Sequence, residues 1–316
     1  CSAATAYLRP ALRRPNLTVV TLAHVLGVDF DGSRAVGLRF ARQGRTTAVR
    51  ARHEVILAAG AINTPAILMH SGIGPAQTLR DAGIGVRLER AGVGENLQDH
   101  ISVIVTARRR EPGPFVHGMR LDRIGVSMAR AYLGGEGFAG DVPGGIVGFV
   151  QPDGADTPDL QFLLTAAPFN AHPWLNPVRK PFADGFAVRT VLLHPHSRGK
   201  ITVASADPLA PPRINQNFLA NDADRIRVRE SVRIARTLLD QPALGDYVAT
   251  ELAPGGGVID DAAIDAFVRK TAITVHHPGG TCRMGGENDP MAVVDSRMRC
   301  IGIPGLRIVD ARSCRT

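Results

Sequence analysis

The chain has 316 residues, 44% of them hydrophobic, and a mean hydropathy of +0.01, which is enough for one large domain or two ordinary ones with a packed core. No apolar run approaches the roughly eighteen residues of a membrane-spanning helix. The net charge is +8, yet the basic residues are nearly all scattered arginines, with lysine only at Lys180, Lys200 and Lys270, and few aromatics lie among them; the stacking platforms of a nucleic-acid binder are missing.

The chain opens "CSAATAYLRPAL", where Ala4, Tyr7 and Leu8 have helical spacing. A chain that begins inside a helix is expected to be a piece of a longer protein. Residues 17 to 51 read as a β-meander of four runs, "LTVVTL", "HVLGVDF", "AVGLRFA" and "TTAVRA", with a hairpin turn at Asp31-Gly32. "HEVILAAGA" then reads as a buried parallel strand ending in small residues. A helix is expected to follow, capped by Asn63 or Thr64 with Pro65 in its first position and ending at Ser71-Gly72, and a second from Pro75 to Gly83. Strand, small-residue turn and helix N-terminus form an arrangement that places backbone N–H groups against a phosphate-bearing cofactor.

From 108 to 185 the chain is rich in glycine and proline, and "YLGGEGFAGDVPGG" reads as a long loop or lid. "DLQFLLTAA", "FAVRTVLLH" and "GKITVAS" read as strands. Residues 222 to 240 form the clearest helix, capped by Asn221, with Val228, Val232, Ala235 and Leu239 on one stripe. A further helix spans Asp260 to Lys270.

Cys1, Cys282, Cys300 and Cys314 form no close ligand pair and no dense disulfide framework, as expected of a reducing compartment. The stretch "TVHHPGGTCRMGG" follows the last helix. His276 and His277 are adjacent and point apart in an extended segment, so a metal site is not expected. A rigid Pro-Gly loop holding one imidazole in a cleft suits a general base better.

Five segments carry a family resemblance: "GAINTPAILMHSGIG", "VGENLQDH", "HSRGKITVASADPLAPPRI", "HHPGGTCRMG" and "VVDSRMRCIGIPGLRIVDA". In this order they resemble the glucose–methanol–choline (GMC) flavoprotein oxidoreductases, in a choline-dehydrogenase-like style. The resemblance covers the C-terminal two-thirds of the family pattern. The family's opening strand–GxGxxG–helix unit has no counterpart here, and "RSCRT" departs from the pattern where a second catalytic His or Asn is carried. The implied fold class is α/β plus α+β: an incomplete GMC-type FAD-binding domain, lacking its Rossmann-like N-terminal unit, with an antiparallel-sheet substrate domain. The expected domains are 1–107 and 288–316 for FAD and 108–287 for substrate.

The resemblance implies oxidation of a small-molecule alcohol to a carbonyl, with FAD as cofactor and His277 as the base; His276 is read as packing. It implies cofactor contacts at Val25, Ala59, Gly60, Asp310 and Ala311, although Asp310 is equally read as a helix cap. Asn96 and His100 are read as loop braces. Oxygen, a quinone or another carrier would reoxidise the flavin. The expected setting is cytoplasmic, with peripheral association at the inner membrane face as a second option. The rival expectations are a non-catalytic remnant that binds no FAD and a flavin-containing lyase of the same family.

Overall fold

The computed structural model describes residues 2–135, 137–140, 145–152, 157–168 and 170–309. The chain divides into two units: Cys1–Leu97, Lys200–Asn215 and Gly279–Thr316 form one, and Gln98–Gly199 and Gln216–Pro278 the other.

The first unit carries a three-stranded antiparallel sheet of His24–Asp31, Arg34–Arg42 and Arg45–Arg50. Gly32 takes the left-handed conformation at the first hairpin, and Gln43 and Gly44 both do so at the second, the signature of a two-residue turn whose twist matches its strands. The expected strand "LTVVTL" does not form. Its residues are β-prone, but no partner strand lies beside them, and Leu17, Val19, Val20 and Leu22 stay exposed.

"HEVILAAGA" does form a parallel strand: Val55–Leu57 pairs with Leu306–Ile308, Val55 opposite Leu306 and Leu57 opposite Ile308. Both strands feed a core that includes Leu68, Met69, Ile73, Leu79, Val93, Cys282 and Cys300. Burial raises the Cys300 thiol to about 12, against the opposing charge of Arg90, which leaves it a small apolar side chain at neutral pH.

The helix after this strand runs Gly60–His70, several residues earlier than the sequence implied, with Pro65 inside it. An interior proline has no N–H for the carbonyl four residues back, here that of Ala61. The structure supplies a replacement: the Thr281 hydroxyl donates to Ala61 O at 2.7 Å. Thr64 is no N-cap; its Oγ1 instead accepts from the Ala59 N–H at 3.1 Å. The next helix is Ala76–Asp81, with Pro75 as its N-cap residue.

The second unit is built on an antiparallel sheet. Its order is Val248–Ala253, Ile101–Arg109, Gly185–Leu192, Leu160–Thr165 and Ile146–Val150, and Ile273–Thr274 also pairs with Ile101–Arg109. One face is apolar. Ile101, Val103, Val105, Ala107, Phe186 and Val188 pack under Val228, Val232, Ala235, Leu239, Ile264 and Val268 of helices Asp222–Leu239 and Asp261–Thr271. The first starts as the sequence indicated, with Asn221 accepting from Ala223 N at 2.9 Å; the second starts one residue later than read, and Asp260 is its N-cap, accepting from Ala263 N at 2.8 Å. Arg229 joins them by a bidentate pair to Asp265, at 2.8 and 2.7 Å.

Two helices, Pro114–Gly118 and Leu121–Gly134, precede the stretch 132–145 expected to be a long loop, and the second runs into it as far as Gly134; residues 136 and 141–144 of that stretch lie outside the described residues. The second ends on left-handed Gly135, so a glycine that reads as loop material serves as a helix stop. The structural units and the expected domains also divide the chain differently. Ile101–Arg108 is paired residue for residue with Gly185–Leu192 and so falls in the sheet unit. Residues Lys200–Asn215 join the first unit, where Ile201 N donates to Gly94 O at 2.7 Å.

Candidate active site

In the second unit, the short strand Ile273–Thr274 delivers the chain to the histidine pair. Both imidazoles are exposed. His276 has φ +65°, a left-handed backbone that costs a side-chain-bearing residue about 1–3 kcal/mol and persists only where neighbours fix it. Three side chains do so. Asp99, 5% exposed, accepts the His277 N–H at its Oδ1, 3.1 Å away. Its Oδ2 accepts the Thr274 hydroxyl, and the Gln216 amide at 3.4 Å. The Thr274 hydroxyl accepts the His276 N–H at 2.8 Å.

A second imidazole stands beside the first. The His100 ring lies 5.3 Å from that of His277, centroid to centroid, edge to face at 85°. His100 Nδ1 lies 2.7 Å from the Leu193 carbonyl. A carbonyl only accepts, so Nδ1 carries the proton, and Nε2 of neutral His100 is the free acceptor.

The first unit holds the expected cofactor residues that the structure describes. The exposed Ala58 and Ala59 follow the strand Val55–Leu57, and half-buried Gly60 has φ +82°. A Cβ on Gly60 would meet nothing within 4 Å. A strand end, small side chains and open space at the start of an 11-residue helix let a bulky, phosphate-bearing group approach backbone N–H donors closely. These residues fit a dinucleotide-type cofactor. Val25 lies half-buried in the strand His24–Asp31, packed against the same core. Asp310 and Ala311 lie outside the described residues.

The continuation of the histidine loop is anchored in this unit. The Asn96 amide donates to Gly280 O at 3.3 Å, Gly94 N donates to Thr281 O at 2.9 Å, and Thr281, fully buried, bonds Ala61. Asn96 is therefore a loop brace, as the sequence suggested. His100 is more than that, because its ring meets that of His277. Asp99 and Thr274 escaped sequence reasoning: an Asp before a strand and a Thr before a histidine pair have no periodic signal, and they meet only when Ile273–Thr274 pairs beside Ile101.

Comparison with known proteins places the chain in one family. Two sequence profiles described as GMC oxidoreductase match residues 1–102 and 195–314. An oxygen-dependent choline dehydrogenase of Chromohalobacter salexigens is 38% identical over 316 residues, covering 98% of this chain and 55% of its own length. One from Rhizobium johnstonii is 39% identical over 314 residues, covering 98% and 56%. The chain thus spans about half the length of the curated relatives it matches. Among solved structures, pyridoxine 4-oxidase from Mesorbium loti superposes with TM-score 0.80 at 28% identity, over 99% of this chain and 57% of the other. A formate oxidase of Aspergillus oryzae RIB40, whose FAD modification has been followed, gives 0.84 at 27%, over 96% and 57%.

Proposed function

The chain belongs to the GMC oxidoreductase family, and on that premise we propose that the intact protein oxidises an alcohol to a carbonyl with His277 as its base. The family's cofactor is FAD, and Ala59 and Gly60, with the backbone near Val25, would hold it in the first unit. When bound, FAD supplies the acceptor for the hydride that leaves the alcohol carbon. Asp310 and Ala311 remain part of the proposed cofactor contact through the family pattern alone.

The observation that carries the reading is the histidine loop. It presents an exposed imidazole on a backbone fixed by a buried carboxylate, next to a second imidazole of defined tautomer. An alcohol is a poor hydride donor until its hydroxyl proton begins to leave. Neutral His277 accepts that proton at a ring nitrogen, and its fixed backbone holds the nitrogen where the substrate hydroxyl arrives. The Nε2 lone pair of His100 is a second acceptor in the same place, suited to orienting the hydroxyl. The choline dehydrogenase relatives are named oxygen-dependent, and we propose oxygen as the electron acceptor of this protein. No helix among the described residues is long and apolar enough to cross a membrane.

The test is anaerobic flavin reduction in the intact, FAD-loaded protein. His277→Ala should slow reduction by roughly 10²- to 10⁴-fold, the span of a positioned general base. An unchanged rate would remove His277 from the base role.

A further inference from the structure

We propose that Asp99 is the positioning residue of this site: a buried carboxylate that holds the backbone of residues 274–277 and, through it, aims the His277 imidazole. The proposal rests on reading His277 as the base, and it adds a residue that never touches the substrate.

Asp99 is nearly inaccessible, and no Lys or Arg pairs with it among the described residues. An ionised carboxylate in that position must be satisfied by hydrogen bonds, and it accepts without donating. Its donors are the Thr274 hydroxyl, the His277 N–H and the Gln216 amide. The His276 N–H is tied in one step further out, through the Thr274 oxygen. Two consecutive backbone N–H groups are thereby drawn toward one carboxylate.

That requirement fixes the path of the loop. With the His276 N–H on the Thr274 oxygen and the His277 N–H on Asp99, His276 takes its left-handed φ of +65°. The next residue in sequence adds a second restraint, because the His100 ring stands edge to face with His277 and is itself pinned by Leu193 O. Asp99 and His100 thus restrain His277 from two sides, one through its backbone and one through its ring. A catalytic imidazole displaced by about an ångström loses much of its advantage, so a rigid brace of this kind governs rate more than affinity.

The experiment uses Asp99→Asn, Thr274→Val and Thr274→Ser in the intact, FAD-loaded protein. Asp99→Asn keeps the volume and turns one acceptor into a donor. Thr274→Val removes the hydroxyl without changing shape, and Thr274→Ser restores it. Two readouts are taken: amide hydrogen exchange across residues 271–279, and anaerobic flavin reduction against substrate concentration. In Asp99→Asn and Thr274→Val, exchange at His276 and His277 should rise about tenfold or more, the order of one lost charge-assisted hydrogen bond. The limiting reduction rate should fall about tenfold, with substrate Kd within about threefold of wild type. Thr274→Ser should recover both. Unchanged exchange at His277 in Asp99→Asn overturns the proposal, as does a loss of affinity that fully accounts for the slower reduction. If Asp99→Asn fails to fold, the Thr274 pair decides by the same readouts. Exchange reports on the clamp whether or not His277 is the base, so faster exchange alongside an active His277→Ala would reject the base and keep the clamp.

Discussion

Thr281 illustrates how far one side chain's role lies from its neighbours in sequence. It is fully buried, and its hydroxyl replaces the N–H that Pro65 cannot offer to the Ala61 carbonyl. The chain thereby keeps a proline in the middle of the helix Gly60–His70 without orphaning a buried acceptor. Thr281→Val preserves shape and removes the donor. It is expected to lower unfolding stability by about 1–3 kcal/mol, the cost of an unsatisfied buried carbonyl, measured as a shift of the urea midpoint. An unchanged midpoint would mean that Ala61 O finds another donor. His277 was legible in the sequence because its loop matches a family pattern. Asp99 sits in another of those motifs, but nothing in the letters connects it to residues 274–277, and a hydrogen bond across 178 positions is set by strand pairing.

At the scale of elements, the sheet of the second unit has two different faces because side chains alternate along strands. The residues of Ile101–Arg109 on the core side lie under the helices. Ser102, Ile104 and Thr106 take the other face, with Arg189 opposite Ile104 and Ile273 opposite Ser102. That pairing leads directly into the histidine loop, so this face is where substrate specificity is expected to reside. Helices Asp222–Leu239 and Asp261–Thr271 were legible from their apolar stripes, the first also from its Asn221 cap, whereas the start of Gly60–His70 was misplaced: Pro65 and Thr64 suggest an N-terminus, and only the bond from Thr281 makes an interior proline tolerable.

At the scale of the whole chain, each unit has its own buried cluster, one around Leu68, Met69 and Ile308 and one around Val103, Val188 and Val232. Separate cores are expected to open separately. Ile264, fully buried in the second cluster, supplies the test. Ile264→Ala should cost that unit about 2–5 kcal/mol. Hydrogen-exchange protection should then fall in Ile101–Arg109 and Gly185–Leu192 while Val55–Leu57 and Leu306–Ile308 keep theirs. Equal losses in both sets of strands would mean that the two cores unfold as one.

The sequence by itself determined what is local or strongly patterned: the hairpin at Asp31-Gly32, most of the apolar strand runs, the helix cap at Asn221, and the family and its cofactor; it also named the candidate base. These are legible because capping, turn chemistry and side-chain alternation act over a few residues, and because motif order survives along the chain. Tertiary structure alone decided which strands associate, that Lys200–Asn215 belongs with the first unit, and that Thr281 repairs the Pro65 gap. It also decided that Asp99 and His100 meet His277. Such contacts depend on where buried polar groups find partners once the strands have paired, and sequence distance carries no information about that.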